Sequence, residues 1–291
     1  MKRNHWYAAL FLAPAAICLL VFSYLPLIQD VWLSFHTWNM VSPTMKFVGL
    51  QNYQQLCSGT ELSKVLFNTL LYVFILIILN FILPYLLSFI MAHGMTSCNF
   101  FYRSALFIPS TLSLAVASII FLWILNPLAG PLHIILSEIG LESPRWFKES
   151  GFAIAAIGMI IGWKVFGYNL IVMLAAMVAV PQDLLEAAKL ENASKWQIFR
   201  HIILPLTSPT ALYVFVITVV FGLQYVLVPV NMLTQGGPDQ GSTNLVYIIY
   251  QYGFIFFQTG KAAAFAVLTI FFYSGFLLLK AVLDKKVHYE N

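Results

Sequence analysis

Six long apolar runs constrain this chain more than any other feature of its sequence. Each run is close to or above the ~20 residues with which a helix crosses a hydrocarbon core of ~30 Å. Polar and charged segments separate the runs, which predicts an all-α polytopic membrane protein with six transmembrane helices. The runs cover approximately residues 6–29, 65–92, 104–125, 151–180, 208–231 and 262–283.

The composition excludes a soluble globular domain. Of 291 residues, 60% are hydrophobic and only 9% are charged, whereas soluble domains carry about 25% charged residues. Cys18, Cys57 and Cys98 lack both CxxC and pairing spacing, so neither a disulfide framework nor a metal site is expected. No long repeat or linker interrupts the pattern, which predicts a single transmembrane domain over residues 1–291.

One polar stretch, residues 181–209, separates the fourth and fifth apolar runs. Asp183 and Glu186 have the spacing of a helix cap and its reciprocal partner, which predicts a short helix over residues 184–191. Asn192 follows, and asparagine is the commonest residue besides glycine to adopt the left-handed conformation that ends a helix. The stretch is therefore predicted to contain a helix followed by a bend.

A second helix is predicted directly after the bend. Ser194 and Gln197 form another capping box at its start. Four apolar side chains then share one face, as expected of a helix that lies on a lipid headgroup layer. They are Trp196, Phe199, Ile202 and Ile203. Pro205 and Pro209 are expected to interrupt the chain where it returns into the bilayer.

These residues resemble the EAA loop of membrane subunits of ATP-binding-cassette importers. The similarity lies in Glu186-Ala187-Ala188, the bend six residues after Glu186, and Ile202-x-Leu204-Pro205. The resemblance implies the type I importer permease fold, in which this loop forms coupling helices that dock on a separate cytoplasmic ATPase. The family usually has Asp and Gly where this chain has Glu191 and Asn192, and Asn supplies similar backbone geometry. An interfacial amphipathic helix is the alternative interpretation of the local pattern.

A second similarity lies between the fifth and sixth runs. Thr234-x-Gly236-Gly237-Pro238 and Gly260-Lys261-Ala262-Ala263-Ala264 resemble the C-terminal signature of sugar-type importer permeases, and FYRSALFIP and IFLWILNPLAG keep the family's order upstream. The first run resembles the first-permease subgroup, of the maltose and glycerol-phosphate type. Gly236, Gly237 and Pro238 are expected to form a rigid turn that faces a binding protein, the alternative being an ordinary loop turn.

The resemblance also implies a set of partners and a location. The partners are a second, homologous permease subunit, two cytoplasmic ATPase subunits, an extracytoplasmic solute-binding protein and the lipid bilayer, with no nucleic acid. The location is a prokaryotic inner membrane, and the solute is sugar-like or polyol-like.

A nucleotide site is not expected within this chain. Gly260-Lys261 lacks the glycine five residues earlier, and Ala262 replaces the Ser or Thr of a phosphate-binding loop. We therefore expect no cofactor in this chain and no enzymatic activity, with ATP and Mg²⁺ bound by the partner ATPase.

The distribution of Lys and Arg predicts the orientation. With both termini in the cytoplasm, the inner segments hold nine basic residues and the outer segments hold five, while Lys164 lies within a run. The inner nine are Lys2, Arg3, Arg103, Lys189, Lys195, Arg200, Lys280, Lys285 and Lys286. The outer five are Lys46, Lys64, Arg145, Lys148 and Lys261. The positive-inside rule thus places residues 181–209 in the cytoplasm.

Polar residues within the runs are candidates for a solute pathway. Lys164 is the only ionisable side chain well inside a run, and a lone cation there is costly unless it faces water, pairs or reaches the interface. The alternative is that it binds helix-end carbonyls or another helix. The further candidates are Trp163, Tyr168, Asn169, Gln224, Tyr225 and Asn231. Asn68 and Asn80 are expected to hold helices together.

Two other classes of protein fit part of the pattern. A self-sufficient secondary transporter or channel commonly carries intramembrane carboxylates or internal repeats, but the eleven acids of this chain lie in loops or at helix ends. A structural scaffold would leave the charged helix pair of residues 181–209 unexplained.

Overall fold

The computed structural model describes residues 2–93 and 99–284, and these are almost entirely helical. The α-helices are α1 Lys2–Leu19, α2 Leu25–Leu33, α3 Gln51–Ser58, α4 Glu61–Ile77, α5 Leu83–His93, α6 Asn99–Thr111, α7 Leu114–Ile124, α8 Pro131–Glu138, α9 Phe152–Val178, α10 Gln182–Leu190, α11 Lys195–Ile198, α12 Leu204–Tyr225, α13 Leu227–Pro229, α14 Leu245–Tyr250 and α15 Thr259–Asp284. Five π-helical turns extend them: Leu20–Tyr24, Ile78–Ile82, Phe199–Ile203, Val230–Thr234 and Gln251–Ile255.

Five apolar helical segments within the described residues are long enough to cross a membrane. They are Leu10–Leu33, Glu61–His93, Phe152–Val178, Lys195–Thr234 and Thr259–Val282, which we number spans 1, 2, 4, 5 and 6. The predicted third span is instead a bent pair, α6 and α7, whose axes differ by 104°. The predicted inner turn before α6 includes residues 94–98, which lie outside the described residues, as do Cys98, Lys285 and Lys286.

The predicted third span is broken in its middle because a new helix begins after Ser113. The Ser113 hydroxyl accepts a hydrogen bond from the backbone N–H of Val116 at 3.2 Å, so Ser113 is the N-cap of α7. Pro109 lies two residues before the end of α6. Both features are local stop and start signals, and their effect is a break within an apolar run.

Prolines do not end the helices at the positions where we expected breaks. Pro26, Pro84 and Pro205 each lie two residues after a π-helical turn. The residue before each proline donates its backbone N–H to the carbonyl five residues back, and this wider turn accommodates a ring that would otherwise collide with the carbonyl four residues back. Span 5 therefore begins at Lys195 and continues for 40 residues, and the predicted interruption at Pro205 and Pro209 is wrong.

The outer segments contain more regular structure than the sequence suggested. Residues 30–64 include the short antiparallel pair β1 His36–Thr37 and β2 Lys46–Phe47, in which His36 pairs with Phe47. The same segment contains α3, and the loop after α7 contains α8. Short helices of this kind lack the long apolar pattern that reveals a span.

Within the described residues, the chain forms two compact units. The first lies within Met1–Leu62 with Ile248–Phe271, and the second within Ser63–Tyr247 with Phe272–Asn291. In the first unit, the Asn52 amide donates to the carbonyls of Ser34 and His36 at 2.8 and 3.0 Å. The expectation of a single domain over residues 1–291 stays a prediction.

Helix α9 is the centre of the second unit. Gly158 and Gly162 lie one turn apart and contact Ile75 and Leu79 of span 2, and an added Cβ at either glycine would lie 2.7 Å from the opposing side chain. Small residues at this spacing let two membrane helices approach closely. Spans 2 and 4 are thereby packed against each other over two helical turns.

Candidate functional site

Helix α10 begins at Gln182, two residues earlier than predicted. Its N-cap is Pro181, and no side chain caps it, so the predicted capping by Asp183 and Glu186 is wrong. Asp183 lies in the first turn instead, where its carboxylate is favoured by the helix dipole. Pro181 has no side-chain acceptor, so it cannot cap the first N–H groups of α10.

The bend after α10 has the predicted left-handed conformation. Asn192 has φ of 55°. The backbone N–H of Asn192 donates to the Lys189 carbonyl, and that of Ala193 donates to the Ala188 carbonyl, both at 3.0 Å. This pair of bonds is the Schellman arrangement that satisfies the last carbonyls of a helix. The prediction made for Asn192 is confirmed.

The predicted capping box at the start of α11 is also confirmed. The Gln197 N–H donates to the Ser194 hydroxyl at 3.3 Å, and the Ser194 N–H donates to Gln197 Oε1 at 2.7 Å. The segment from α10 through the bend to α11, which we call the elbow, thus holds its own shape through bonds between near neighbours.

The two faces of α10 have different surroundings. Leu185 and Ala188 are half-buried, and Leu185 packs against the cluster around Tyr85. On the opposite face, Glu186 and Ala187 are exposed and Leu190 is 85% exposed. Glu191 and Asn192 are exposed at the bend. The predicted coupling residues therefore include an uncovered apolar and acidic surface, with Ala188 at its edge.

The apolar face after Ser194 packs partly on the spans, which corrects the prediction that it lies on lipid headgroups. Ile203 is buried, and the Phe199 ring contacts those of Tyr85 and Phe89 at centroid distances of 6.1 and 4.9 Å. Trp196 remains 64% exposed and stacks on Phe199. Phe199 and Ile203 therefore pack on the spans, whereas Trp196 leaves part of the apolar face exposed.

Polar side chains meet in the middle of spans 2, 4 and 5. Pro84 has no N–H, which frees the carbonyl of Asn80 four residues back. The Asn169 amide donates to this carbonyl at 2.6 Å and to the Thr218 hydroxyl at 3.2 Å. Asn169 and Thr218 thus satisfy the free carbonyl, and this is how Asn80 joins helices, through its backbone.

A small cavity opens beside this cluster. It has a volume of about 50 Å³ and is lined by Tyr168, Asn169 and Tyr225 together with Asn80 and Thr218. The side-chain amide of Asn80 is buried and has no hydrogen-bond partner among the described residues. Three predicted pathway residues are therefore brought together, and Thr218 is added to them. The proline four residues after Asn80 is the sequence signal that locates this cluster.

Lys164 lies apart from that cavity, at the break between α6 and α7. Its ammonium donates to the carbonyls of Ser110 and Leu112 at 2.9 and 2.6 Å. A cation favours the C-terminal end of a helix and satisfies its free carbonyls. The structure therefore shows the alternative placement, and a role of Lys164 in the pathway stays a prediction.

The other candidates in span 5 lie on its surface. Gln224 and Asn231 are exposed, and neither side chain forms a hydrogen bond within residues 2–93 and 99–284. Trp163 of span 4 is 37% exposed and contacts the ring of Phe121. Their role in solute passage remains a prediction.

The outer turn, residues 234–244, is packed and not a projecting loop. Gly236 is buried with φ of +86°, and the Gly237–Pro238 peptide bond is cis. Gly237 and Pro238 are half-buried. The Ser242 hydroxyl donates to the Gly237 carbonyl at 2.8 Å. A contact of Gly236, Gly237 and Pro238 with a binding protein stays a prediction, and the exposed residues beside them are Gln235 and Asp239.

Span 2 holds this outer turn in place. The Asn68 amide donates to the carbonyls of Gln240 and Thr243 at 2.8 and 3.1 Å. Lys64 forms an ion pair with Asp239 at 2.6 Å. Asn68 therefore binds a loop, and the expectation that it joins two helices is wrong. The outer turn presents both carbonyls to span 2, and that of Gln240 also accepts the Thr243 N–H at 3.1 Å.

Comparison with known proteins agrees with this architecture. A crystal structure of a bacterial alginate ABC transporter, in complex with an alginate pentasaccharide-bound periplasmic protein, contains a chain that superposes with a TM-score of 0.81 at 21% identity. The superposition covers 98% of this chain and 96% of that one. This likeness confirms the predicted importer permease fold.

Sequence relatives cover nearly the whole chain. The probable ABC transporter permease protein YurN of Bacillus subtilis is 30% identical over 93% of this chain and 93% of its own length. The sn-glycerol-3-phosphate transport system permease protein UgpA of Pectobacterium atrosepticum is 24% identical over 99% of this chain and 97% of its own. The family pattern described as the inner membrane component of binding-protein-dependent transport systems matches residues 62–289. The chain belongs to this family and is a multi-pass membrane permease.

Proposed function

We propose that this chain is the permease subunit of an ATP-driven importer and that the elbow transmits the work of ATP hydrolysis to the spans. The observation that carries the proposal is the uncovered face of α10, where Glu186, Ala187 and Leu190 are exposed beside a bend that is held by its own hydrogen bonds. A rigid element with one free face can bind a second protein and move as a unit. Its other face, through Leu185, touches the spans.

The proposed assembly contains four further protein subunits. ATP and Mg²⁺ bind to two copies of a separate cytoplasmic ATPase, so this chain carries no cofactor and no catalytic residue. A second, homologous permease completes the membrane part, and an extracytoplasmic binding protein delivers the solute. The alginate transporter, which was crystallised with a periplasmic protein, supports the last of these.

The orientation is part of the proposal. Lys and Arg are more numerous in the inner segments than in the outer ones. The positive-inside rule therefore favours a cytoplasmic location for both termini and the elbow. ATP is available on that side. Closure of the ATPase pair would then favour one of two arrangements of the spans, since a partner shifts a conformational equilibrium only through differential binding.

The solute is proposed to be a sugar or a polyol-like molecule. Among relatives, UgpA is named for sn-glycerol-3-phosphate, and the structural relative transports alginate. The cavity beside Asn169 offers amide and phenol groups that suit hydroxyls, but its volume of about 50 Å³ suits water rather than a sugar. The solute chamber is therefore proposed to form between this chain and the second permease.

Substitution of Glu186 by Lys tests the coupling role. In the assembled complex, Glu186→Lys should lower solute-stimulated ATP hydrolysis and uptake by at least about tenfold, because charge reversal at a docking surface costs several kcal/mol. The spans should keep their unfolding midpoint. Glu142→Lys, the same charge reversal in an exposed outer segment, should leave both activities unchanged.

Two results would oppose this proposal. Full stimulated hydrolysis and uptake by Glu186→Lys would remove the elbow from coupling. Uptake by the purified chain alone, in vesicles without an ATPase, would instead support a self-sufficient transporter or channel.

A further inference from the structure

A pocket with an apolar floor lies between the elbow and the end of span 2. Its volume is about 350 Å³, within the range of small-ligand sites. Phe89 and Ile90 of α5 form one wall, and Leu185 of α10 and Ile203 form the other. It is distinct from the small cavity beside Asn169, which lies deeper within the spans.

The rim of this pocket is basic. His93 at the end of α5, Lys189 of α10 and Lys195 of α11 line it, and no carboxylate does. Both lysines are exposed, and neither has a salt-bridge partner among the residues that the structure describes. Two ammonium groups thus face one opening without neutralisation.

The acids of α10 lie on its other side. Leu185 and Lys189 are four residues apart and share the face towards the pocket. Glu186 and Leu190 share a different, exposed face. The helix therefore presents a basic surface to the pocket and an acidic, apolar one away from it. A protein that docks on the outward face leaves the basic face available.

The pocket also lies at the level where a membrane changes from hydrocarbon to headgroups. Span 2 ends at His93 and span 4 ends at Val178, four residues before α10 begins. Phe89 and Ile90 are lipid-compatible side chains one turn deeper than His93. An amphiphile with an anionic head and an apolar tail matches this vertical order of basic rim and apolar wall.

We propose that this pocket binds an anionic phospholipid from the leaflet that faces α10. The phosphodiester lies between Lys189 and Lys195, and the start of the acyl chains lies on Phe89 and Ile90. A lipid placed there fills the space between the elbow and span 2, so it fixes the distance between them. The site does not depend on what docks on the outward face of α10.

Native mass spectrometry of the purified, assembled complex tests this site. The complex is incubated with equal amounts of phosphatidylglycerol and phosphatidylcholine, and the retained lipid is counted. Wild-type protein should retain phosphatidylglycerol preferentially. The variant Lys189→Gln/Lys195→Gln should lose this preference by about fivefold for each lysine removed, whereas Lys189→Arg/Lys195→Arg should keep it.

A matched control separates a pocket from general surface charge. Arg200 is an exposed base in the π-helical turn directly after the elbow and does not line the pocket, so Arg200→Gln should retain phosphatidylglycerol as wild type does. Unchanged retention in the double Gln variant, or an equal loss in Arg200→Gln, would overturn the proposal. Displacement of the lipid by millimolar inorganic phosphate would also overturn it, in favour of a soluble anion. The measurement uses no ATP, so its failure is distinct from a failure of coupling.

Discussion

The elbow and the outer turn satisfy their backbone groups in different ways, because the outer turn adds bonds from span 2 to local bonds of its own. Both are irregular segments with free backbone groups. In the elbow, Asn192, Ser194 and Gln197 satisfy those groups within a few residues along the chain. In the outer turn, Asn68 and Tyr72, which are more than 160 residues away in the sequence, donate to its carbonyls.

The difference has a mechanical consequence. A segment that satisfies its own backbone keeps its shape when its surroundings change, so it can move as a rigid part. A segment that is bonded to a distant helix moves with that helix. The elbow therefore suits the transmission of movement, and the outer turn is effectively an extension of span 2.

The largest expected effect is at the outer turn. A Cβ at Gly236 would lie 2.5 Å from the Thr243 hydroxyl oxygen and 3.0 Å from the Tyr247 ring, at φ of +86°. Gly236→Ala should destabilise the protein by about 3 kcal/mol, since both left-handed strain and overpacking contribute. The unfolding midpoint of the purified complex in detergent measures this.

Gly275→Ala is the matched control. Apart from the adjacent backbone of its own helix, α15, no atom of the described residues lies within 4 Å of an added Cβ at Gly275, so this variant should be unchanged or slightly more stable. Equal midpoints for Gly236→Ala and Gly275→Ala would show that the outer turn is not held as rigidly as its bonds indicate.

The second effect concerns another bond between distant parts of the chain. Lys164→Met leaves the carbonyls of Ser110 and Leu112 without their donor. The loss of two charged hydrogen bonds destabilises the protein, and the removal of a costly charge from within a span partly offsets that loss. The free energy of unfolding should therefore fall by about 1–2 kcal/mol. The exposed Lys148 provides the control Lys148→Met, with a change within about 0.5 kcal/mol.

The same variant decides the pathway role. If Lys164 serves only to bind the carbonyls at the end of α6, Lys164→Met should leave the apparent affinity for solute unchanged in transport assays, while the unfolding midpoint falls. A loss of solute affinity with an unchanged unfolding midpoint would place Lys164 in the pathway. It would also show that the hydrogen bonds of Lys164 to α6 and the following turn do not stabilise the fold.

The features predicted correctly from the sequence are those determined by residues close together in the chain. Five apolar spans and both halves of the bend at Asn192 and Ser194 follow from hydropathy and capping signals over a few residues. The start of α10 was missed because Pro181 replaces a capping side chain. The third span was predicted at residues 104–125, but the break within it was not, because nothing in the sequence marks the Ser113 hydroxyl as a helix cap.

Partners that are distant in sequence could not be predicted. The acceptors of Asn68 and Lys164 are backbone carbonyls, which carry no sequence signature of their own. Proline is the exception, because it frees the carbonyl four residues back. Applied to Pro84, this rule locates the Asn80 carbonyl and explains why Asn169 and Thr218 are polar. Pro209 in the same way frees the carbonyl of Pro205, four residues back, and the Ser208 hydroxyl donates to that carbonyl at 2.6 Å.

The smallest expected effect is in the elbow, and it tests whether that segment is held locally. Ser194→Ala removes the acceptor of the Gln197 N–H and should cost about 1 kcal/mol at the start of α11. Hydrogen exchange should rise at residues 195–199, while the unfolding midpoint of the complex stays within error. Ser194→Asp keeps an acceptor and should restore protection. If Ser194→Ala instead lowers the midpoint as far as Gly236→Ala does, the elbow depends on the spans for its shape, and the contrast between self-held and distantly bonded segments fails.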